Sequence, residues 1–113
     1  AELRTRLEAG RQRAAVDDST RAARQRQPLA HPLASFTGTF GEPSFGDVTI
    51  AMRDGRLTYR WGAQYGPVEI MDASRHQLRV EVAGSGHVVT FAFDPAGVAR
   101  SIQLQGVTFT RRP

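Results

Sequence analysis

From residue 35 onward the sequence predicts a mainly β fold: about eight short antiparallel strands in an up-and-down meander that closes into a small β-barrel. Three observations predict it. Apolar and polar residues alternate with a period of two over most of this stretch. Tight-turn residues such as Asp54-Gly55, Gly84-Ser85-Gly86 and Asp94-Pro95-Ala96-Gly97 interrupt the alternation at short intervals. No segment between strands is long enough to be a crossover helix. A two-sheet sandwich satisfies the same pattern, but closure removes exposed strand edges and is the natural solution.

The elements follow in order. Residues 1–27 read as a helical arm or linker, rich in Ala, Arg, Glu, Gln and Leu. Its apolar stripe is thin: Leu3 and Leu7 stack at i, i+4, and Ala14, Ala15, Val16, Ala22 and Ala23 continue it weakly. Asp17-Asp18-Ser19-Thr20 offers a cap for a second helical segment running to Gln27, with a break near Gly10 or Val16. So thin a stripe buries little, and the arm is expected to lean on another body. Residues 28–34 hold "PLAHP", whose prolines impose an extended linker. Residues 35–113 form the barrel domain.

The stretch "VTIAMRDGRLTYRW" (48–61) fixes one hairpin in detail. With Asp54-Gly55 as a two-residue type I′ turn, Arg53 pairs with Arg56, Met52 with Leu57, Ile50 with Tyr59 and Val48 with Trp61. Every apolar residue then lands on one face, and a one-residue slip destroys the agreement. Alternation places further strands at Phe36–Phe40, at Val68 and Ile70 after a Tyr65-Gly66-Pro67 turn, at Leu78–Val82, at Val89–Phe93, at Ile102–Leu104 and at Val107–Phe109. Val98 to Ser101 fits neither face, which predicts a bulge. Phe36, Phe40, Tyr59, Trp61, Phe91, Phe93 and Phe109 point inward, enough bulk to fill an eight-stranded barrel.

Composition excludes several chemistries. The chain has 113 residues, no cysteine, no lysine and no asparagine; all 15 basic residues are arginine. Disulfides, thiolate nucleophiles, Schiff bases and lysine-dependent phosphate or acylation motifs are therefore ruled out within it. It has no run of about 18 apolar residues that would span a membrane. It starts at Ala rather than Met, which suggests a fragment or a processed product. Residues 1–27 carry seven arginines against Glu2, Glu8, Asp17 and Asp18, so the excess charge sits in the arm. That charge reads as a solvated helix face, and nucleic acid is an unlikely partner.

No catalytic constellation emerges, and the chain alone is read as no enzyme. Ser85 in "AGSGH" stands two residues before His87 but reads as a turn serine. His31, His76 and His87 lack metal-ligand spacing and read as surface or strand-end residues. The aspartates lie near turns, where backbone chemistry favours them. No cofactor or metal is expected. One cluster invites a ligand: Tyr59, Trp61 and Tyr65 with Arg60 could stack on a base or sugar, and a pocket mouth, if present, belongs there. The plainer reading makes Tyr59 and Trp61 core and leaves Arg60 in solvent.

Several segments carry a family resemblance: "HPLASFTGTFGEPSFGDVTI", "DGRLTYRWG", "YGPVEI", "VTFAFDPAGVARSIQL" and "GVTFTRR". In order and spacing, Pro32 to Arg111 resembles the lipocalin-like barrel of unknown function appended to the C-terminus of serine hydrolases of the β-lactamase and penicillin-binding-protein type. The resemblance implies a non-catalytic accessory module that packs on the catalytic domain of a parent chain or mediates self-association. It also implies a periplasmic or secreted location. The alternative is a lipocalin-like barrel that binds a small ligand. Where many relatives carry a segment rich in His and aromatics, this chain has "IMDASRHQL", and the hydrolase serine and lysine have no counterpart here.

Overall fold

The computed structural model of the chain describes residues 18–113. Eight strands form a closed barrel, each antiparallel to the next: β1 (Gly38–Glu42), β2 (Gly46–Arg53), β3 (Arg56–Trp61), β4 (Gln64–Asp72), β5 (Gln77–Val82), β6 (Ser85–Phe93), β7 (Ala99–Leu104) and β8 (Val107–Arg111). β8 returns to β1 through the pairs Phe40–Arg111 and Gly41–Thr110, so the sheet has no free edge strand. Residues 18–25 are helical (α1), and the rest of the expected arm, with its break near Gly10 or Val16, lies outside the described residues.

The β2–β3 hairpin has the expected register at all six pairs, from Val48–Trp61 to Arg53–Arg56. Asp54 and Gly55 take φ of 52° and 76°, the left-handed pair that a type I′ turn requires. Val48, Ile50, Leu57 and Tyr59 are buried. Met52 keeps its register but is 41 % exposed, although its cross-strand partner Leu57 is buried. The bulge falls where the alternation failed: Ala92 pairs with Ser101 and Phe93 with Ala99, leaving Arg100 as the extra residue.

Three local expectations need correction. Phe36 is not in a strand; it ends a 3-10 turn, Leu33–Phe36, in which the Ser35 N–H donates to the Pro32 carbonyl and the Thr37 N–H to that of Ala34. Tyr65-Gly66-Pro67 is not a turn but part of β4; the chain reverses at Gly62-Ala63, with Gly62 at φ 60°. The β5–β6 turn is Ala83-Gly84, one residue earlier than expected, and Ser85 and Gly86 already belong to β6.

Aromatic rings fill the interior. Phe36, Phe40 and Phe109 are fully buried, and Tyr59 and Phe91 nearly so, while Trp61 and Phe93 pack against this core from its ends. Phe36 meets Phe91 edge-on at 5.0 Å and Phe93 at 5.1 Å. Burying a ring of this size stabilises the fold by roughly 1.5–3 kcal/mol.

The barrel's two ends differ. One carries the tight turns β1–β2, β3–β4, β5–β6 and β7–β8. The other receives the arm, and there the 3-10 turn drops Phe36 into the core while Leu29 and Leu33 pack over it. Arg111, on the inward face of β8, spans this end: its guanidinium donates to the carbonyls of Thr37 and Ala99, both at 3.1 Å, and lies 5.8 Å over the Phe40 ring.

Candidate functional site

The four residues singled out from the sequence divide across the barrel wall. Tyr59 and Trp61 face inward. Arg60 and Tyr65 face outward as a direct cross-strand pair, with Tyr65 73 % exposed. Trp61 closes the turn end: its indole Nε1 donates to the Phe45 carbonyl at 2.7 Å and its ring meets Phe109 edge-on at 5.7 Å. A shallow depression of about 410 Å³ on the outer wall does bring Tyr65, Arg60 and the edge of Tyr59 together, over a floor that includes Thr49, Ala51 and Thr58. Trp61 is not part of it.

Pro67 organises this wall. β4 pairs with β3 from Gln64 to Pro67, and with β5 only from Val68 onward. A proline has no N–H, so the Thr58–Pro67 pair is one whose main-chain groups point away from β3, toward β5. Continuing the β5 register by one step sets Pro67 opposite Glu81, and the N–H that would reach the Glu81 carbonyl is missing. The Tyr59 hydroxyl crosses beneath Gly66 and donates to that carbonyl instead. A side chain on Gly66 would crowd the crossing ring, its Cβ falling 3.4 Å from Tyr59 Cε1. Beside it the Gln64 Oε1 accepts the Ala83 N–H at 3.2 Å. Burial, and after it the Glu81 carboxylate, push the Tyr59 phenol above its usual range.

On the other side of Pro67 the wall parts between β3 and β4. The resulting cleft, about 540 Å³, has Leu33, Leu57, Val68, Ile70 and Leu78 among its lining, with Gln25, Arg56 and Glu69 at its rim. Here the arm meets the barrel. Gln25 holds both main-chain groups of Ile70: Oε1 accepts its N–H at 3.2 Å and Nε2 donates to its carbonyl at 3.4 Å. Gln27 likewise donates to the Met71 carbonyl at 3.1 Å and accepts the Ala73 N–H at 2.9 Å. Arg21 lies 3.6 Å from Glu69.

His31 and His76, read from the sequence as surface or strand-end residues, are half-buried, and His76 immediately precedes β5. His31 stacks on Phe93 at 3.9 Å, and His76 lies 5.1 Å from the same ring and 5.3 Å from His31, which clamps the linker to the barrel. Pro28 and Pro32 turn His31 back onto β6, a contact no local pattern announces. His87 sits on the far end beside Gln105, within 3.2 Å of its amide. Among the described residues, no three His, Cys, Asp or Glu side chains gather as a metal site would require. Likewise, no helix among them is long and apolar enough to cross a membrane.

No family model, curated protein or solved structure matches this chain.

Proposed function

We propose that the chain is a non-catalytic accessory barrel that follows a serine hydrolase domain of the β-lactamase type, and that it packs on that domain or on a second copy of itself. The observation that carries this reading is the arm. α1 is fixed to the wall by the amides of Gln25 and Gln27, yet Ala22, Ala23 and most of its other described residues remain exposed. The exposed side of these described residues favours a neighbouring body. The family resemblance makes a hydrolase domain the expected neighbour. The side-chain-filled interior favours this reading over a barrel that carries a ligand inside.

The test is direct. The purified chain is assayed with a chromogenic cephalosporin and a p-nitrophenyl ester. Rates at the uncatalysed background are expected; turnover that co-elutes with the protein through successive columns overturns the reading. Light scattering of the same sample separates the two modes: a dimer indicates self-association, a monomer indicates packing on the hydrolase domain.

A further inference from the structure

On the outer wall the strand register gathers a cationic patch with an aromatic edge. Val48, Ile50, Leu57 and Tyr59 are buried, so alternation turns Thr49, Ala51, Arg53, Thr58 and Arg60 outward. Thr49 stands opposite Arg60, Ala51 opposite Thr58, and Arg60 opposite Tyr65. Arg53 and Arg60 therefore occupy the two ends of the patch, about 13 Å apart along the strands at about 3.3 Å per residue. Both line the depression of about 410 Å³, and Tyr65 lines it beside Arg60. The floor between them is made of small residues. There the Thr58 hydroxyl donates to the Ala51 carbonyl at 3.4 Å, and the Thr49 hydroxyl lies 3.1 Å from that of Thr39.

The two arginines lack a counter-charge. Among the described residues neither has a carboxylate in ion-pair range, whereas Arg79, Arg100 and Arg112 each do. No acidic residue lines their depression, and Asp54, at the hairpin tip, pairs with neither. Arg56 is unpaired too, but it lines the other cleft together with Glu69. A second arginine-lined depression, beside Pro113, is already engaged: Arg100 is held by Asp94, Arg112 by Asp47, and Arg111 by the carbonyls of Thr37 and Ala99.

Two open guanidinium forks match an anion with more than one charge. A carboxylate answers one fork. A phosphate monoester, with three acceptor oxygens and a charge of about −1.5 to −2 at pH 7, answers both. Tyr65 is strongly exposed, and the one cation over an aromatic face among the described residues is Arg111 on Phe40, so the Tyr65 ring is open for stacking. We propose that this wall binds a phosphate monoester that carries a planar ring. The phosphate sits over Thr58 between Arg53 and Arg60, and the ring stacks on Tyr65. A nucleic acid strand needs a cationic groove that continues along its backbone, whereas toward the arm this wall leads to Glu69. The site lies outside the barrel interior and is independent of which domain precedes the chain.

The experiment titrates the full ¹⁵N-labelled chain at low salt with adenosine 5′-monophosphate, adenosine, ribose 5-phosphate and phenyl phosphate. Amide shifts centred on Thr49 to Ala51, Thr58 to Arg60 and Tyr65 to Gly66 are expected. The nucleotide should bind about tenfold more tightly than adenosine or ribose 5-phosphate. Phenyl phosphate separates the two sources of this chemistry: binding as tight as the nucleotide's assigns the site to aryl phosphates, and weaker binding assigns it to nucleotides. Arg53→Gln and Arg60→Gln should each weaken the nucleotide about fivefold and leave adenosine unchanged. Tyr65→Ala should bring the nucleotide down to the level of ribose 5-phosphate, whose own binding stays the same. All three positions are exposed, and unchanged amide spectra away from the patch show that the fold is kept. Absence of localised shifts at about 5 mM ligand, shifts centred on Arg100, Arg111 and Arg112, or equal binding of adenosine and its monophosphate overturns the proposal. So does tighter binding of the peptide Ac-Glu-Tyr-Glu-NH₂, which assigns the patch to an acidic protein surface.

Discussion

Replacing Tyr59 with phenylalanine tests the central claim about the wall, that a phenol stands in for a proline's missing N–H. Tyr59→Phe keeps the ring, its volume and its place beneath Gly66. It removes only the hydroxyl that donates to the Glu81 carbonyl. A typical hydrogen bond contributes about 1 kcal/mol net, and a buried acceptor left without a donor costs about 1–3 kcal/mol. The expected loss is therefore about 1.5 kcal/mol, which in a domain of this size lowers Tm by roughly 6–12 °C. Thermal and urea unfolding followed by circular dichroism measure it, with an unchanged urea slope showing that the unfolded state is unaffected. Tyr65→Phe is the control: that hydroxyl is on a 73 % exposed side chain, and its loss should stay within about 0.5 kcal/mol. A second mutation sharpens the test. Pro67→Val restores an N–H aimed at the same carbonyl, so in that background Tyr59→Phe should cost less, by about 1 kcal/mol in a double-mutant cycle. Equal losses for Tyr59→Phe and Tyr65→Phe, or strict additivity in the cycle, would refute the substitution of hydroxyl for amide. Alkaline pH gives an independent check. The native phenol is raised above its ordinary value of 10.0. Its contribution is thus complete below pH 10.0 and is lost as pH rises through the native value, and Tyr59→Phe lacks that loss.

Other perturbations follow from the same geometry. Gln27→Ala removes the amide bridging Met71 and Ala73 and should cost about 1–2 kcal/mol, with faster hydrogen exchange at the Ala73 amide as the specific readout. Unchanged exchange there means the arm is not held by this side chain. Gly38→Ala places a Cβ 2.5 Å from Arg111 Nη1 at a φ of 153°, so a loss of about 1–3 kcal/mol is expected in thermal unfolding. A variant as stable as the parent would show that the arm end does not need Arg111 where it lies. Asp94 accepts the Val98 and Ala96 N–H groups and the Arg100 guanidinium; these, the Val98 N–H foremost, hold its carboxyl below the usual range. Its stabilisation of the β6–β7 turn is therefore present above the ordinary aspartate value and lost as pH falls through the lower native one. An NMR titration should show the Ala96 and Val98 amides shifting together with that low midpoint; a midpoint at the ordinary value contradicts the turn's geometry.

What the sequence made legible was local. The β2–β3 register followed from Asp54-Gly55 and strict alternation, because a two-residue turn and a period of two leave one consistent pairing. The bulge at Arg100 was visible as a failure of alternation. The inward direction of Tyr59 and Trp61 was readable too, whereas their separation from Arg60 and Tyr65 across the wall, with Trp61 outside the depression, was not. Illegible were contacts made by side chains far away in the chain. Gln25 reaches a residue 45 positions on and Gln27 one 46 positions on, and a glutamine in a helical arm carries no mark of such a role. The stacking of His31 on Phe93 is hidden for the same reason.

Pro67 was misread in an instructive way. Gly66-Pro67 is ordinarily turn punctuation, and a proline argues against a central strand. β4 tolerates it because the strand does not have two complete neighbours at any one level. Up to Pro67 its partner is β3, and beyond it β5. Each side is thus left with one stretch of unpaired main chain, and the two are sealed by different means. The β5 side is closed from within by Tyr59, a buried residue of the adjacent strand whose position is set by the core. The β3 side is closed from outside by Gln25 and Gln27, whose amides make four hydrogen bonds to main-chain groups of Ile70, Met71 and Ala73. An interior phenol cannot leave without disturbing the core, whereas the described part of the arm holds Ile70 to Ala73 through exposed or half-buried amides. Pro67 therefore divides the wall into a half sealed by the core and a half whose seal depends on side-chain amides of the arm.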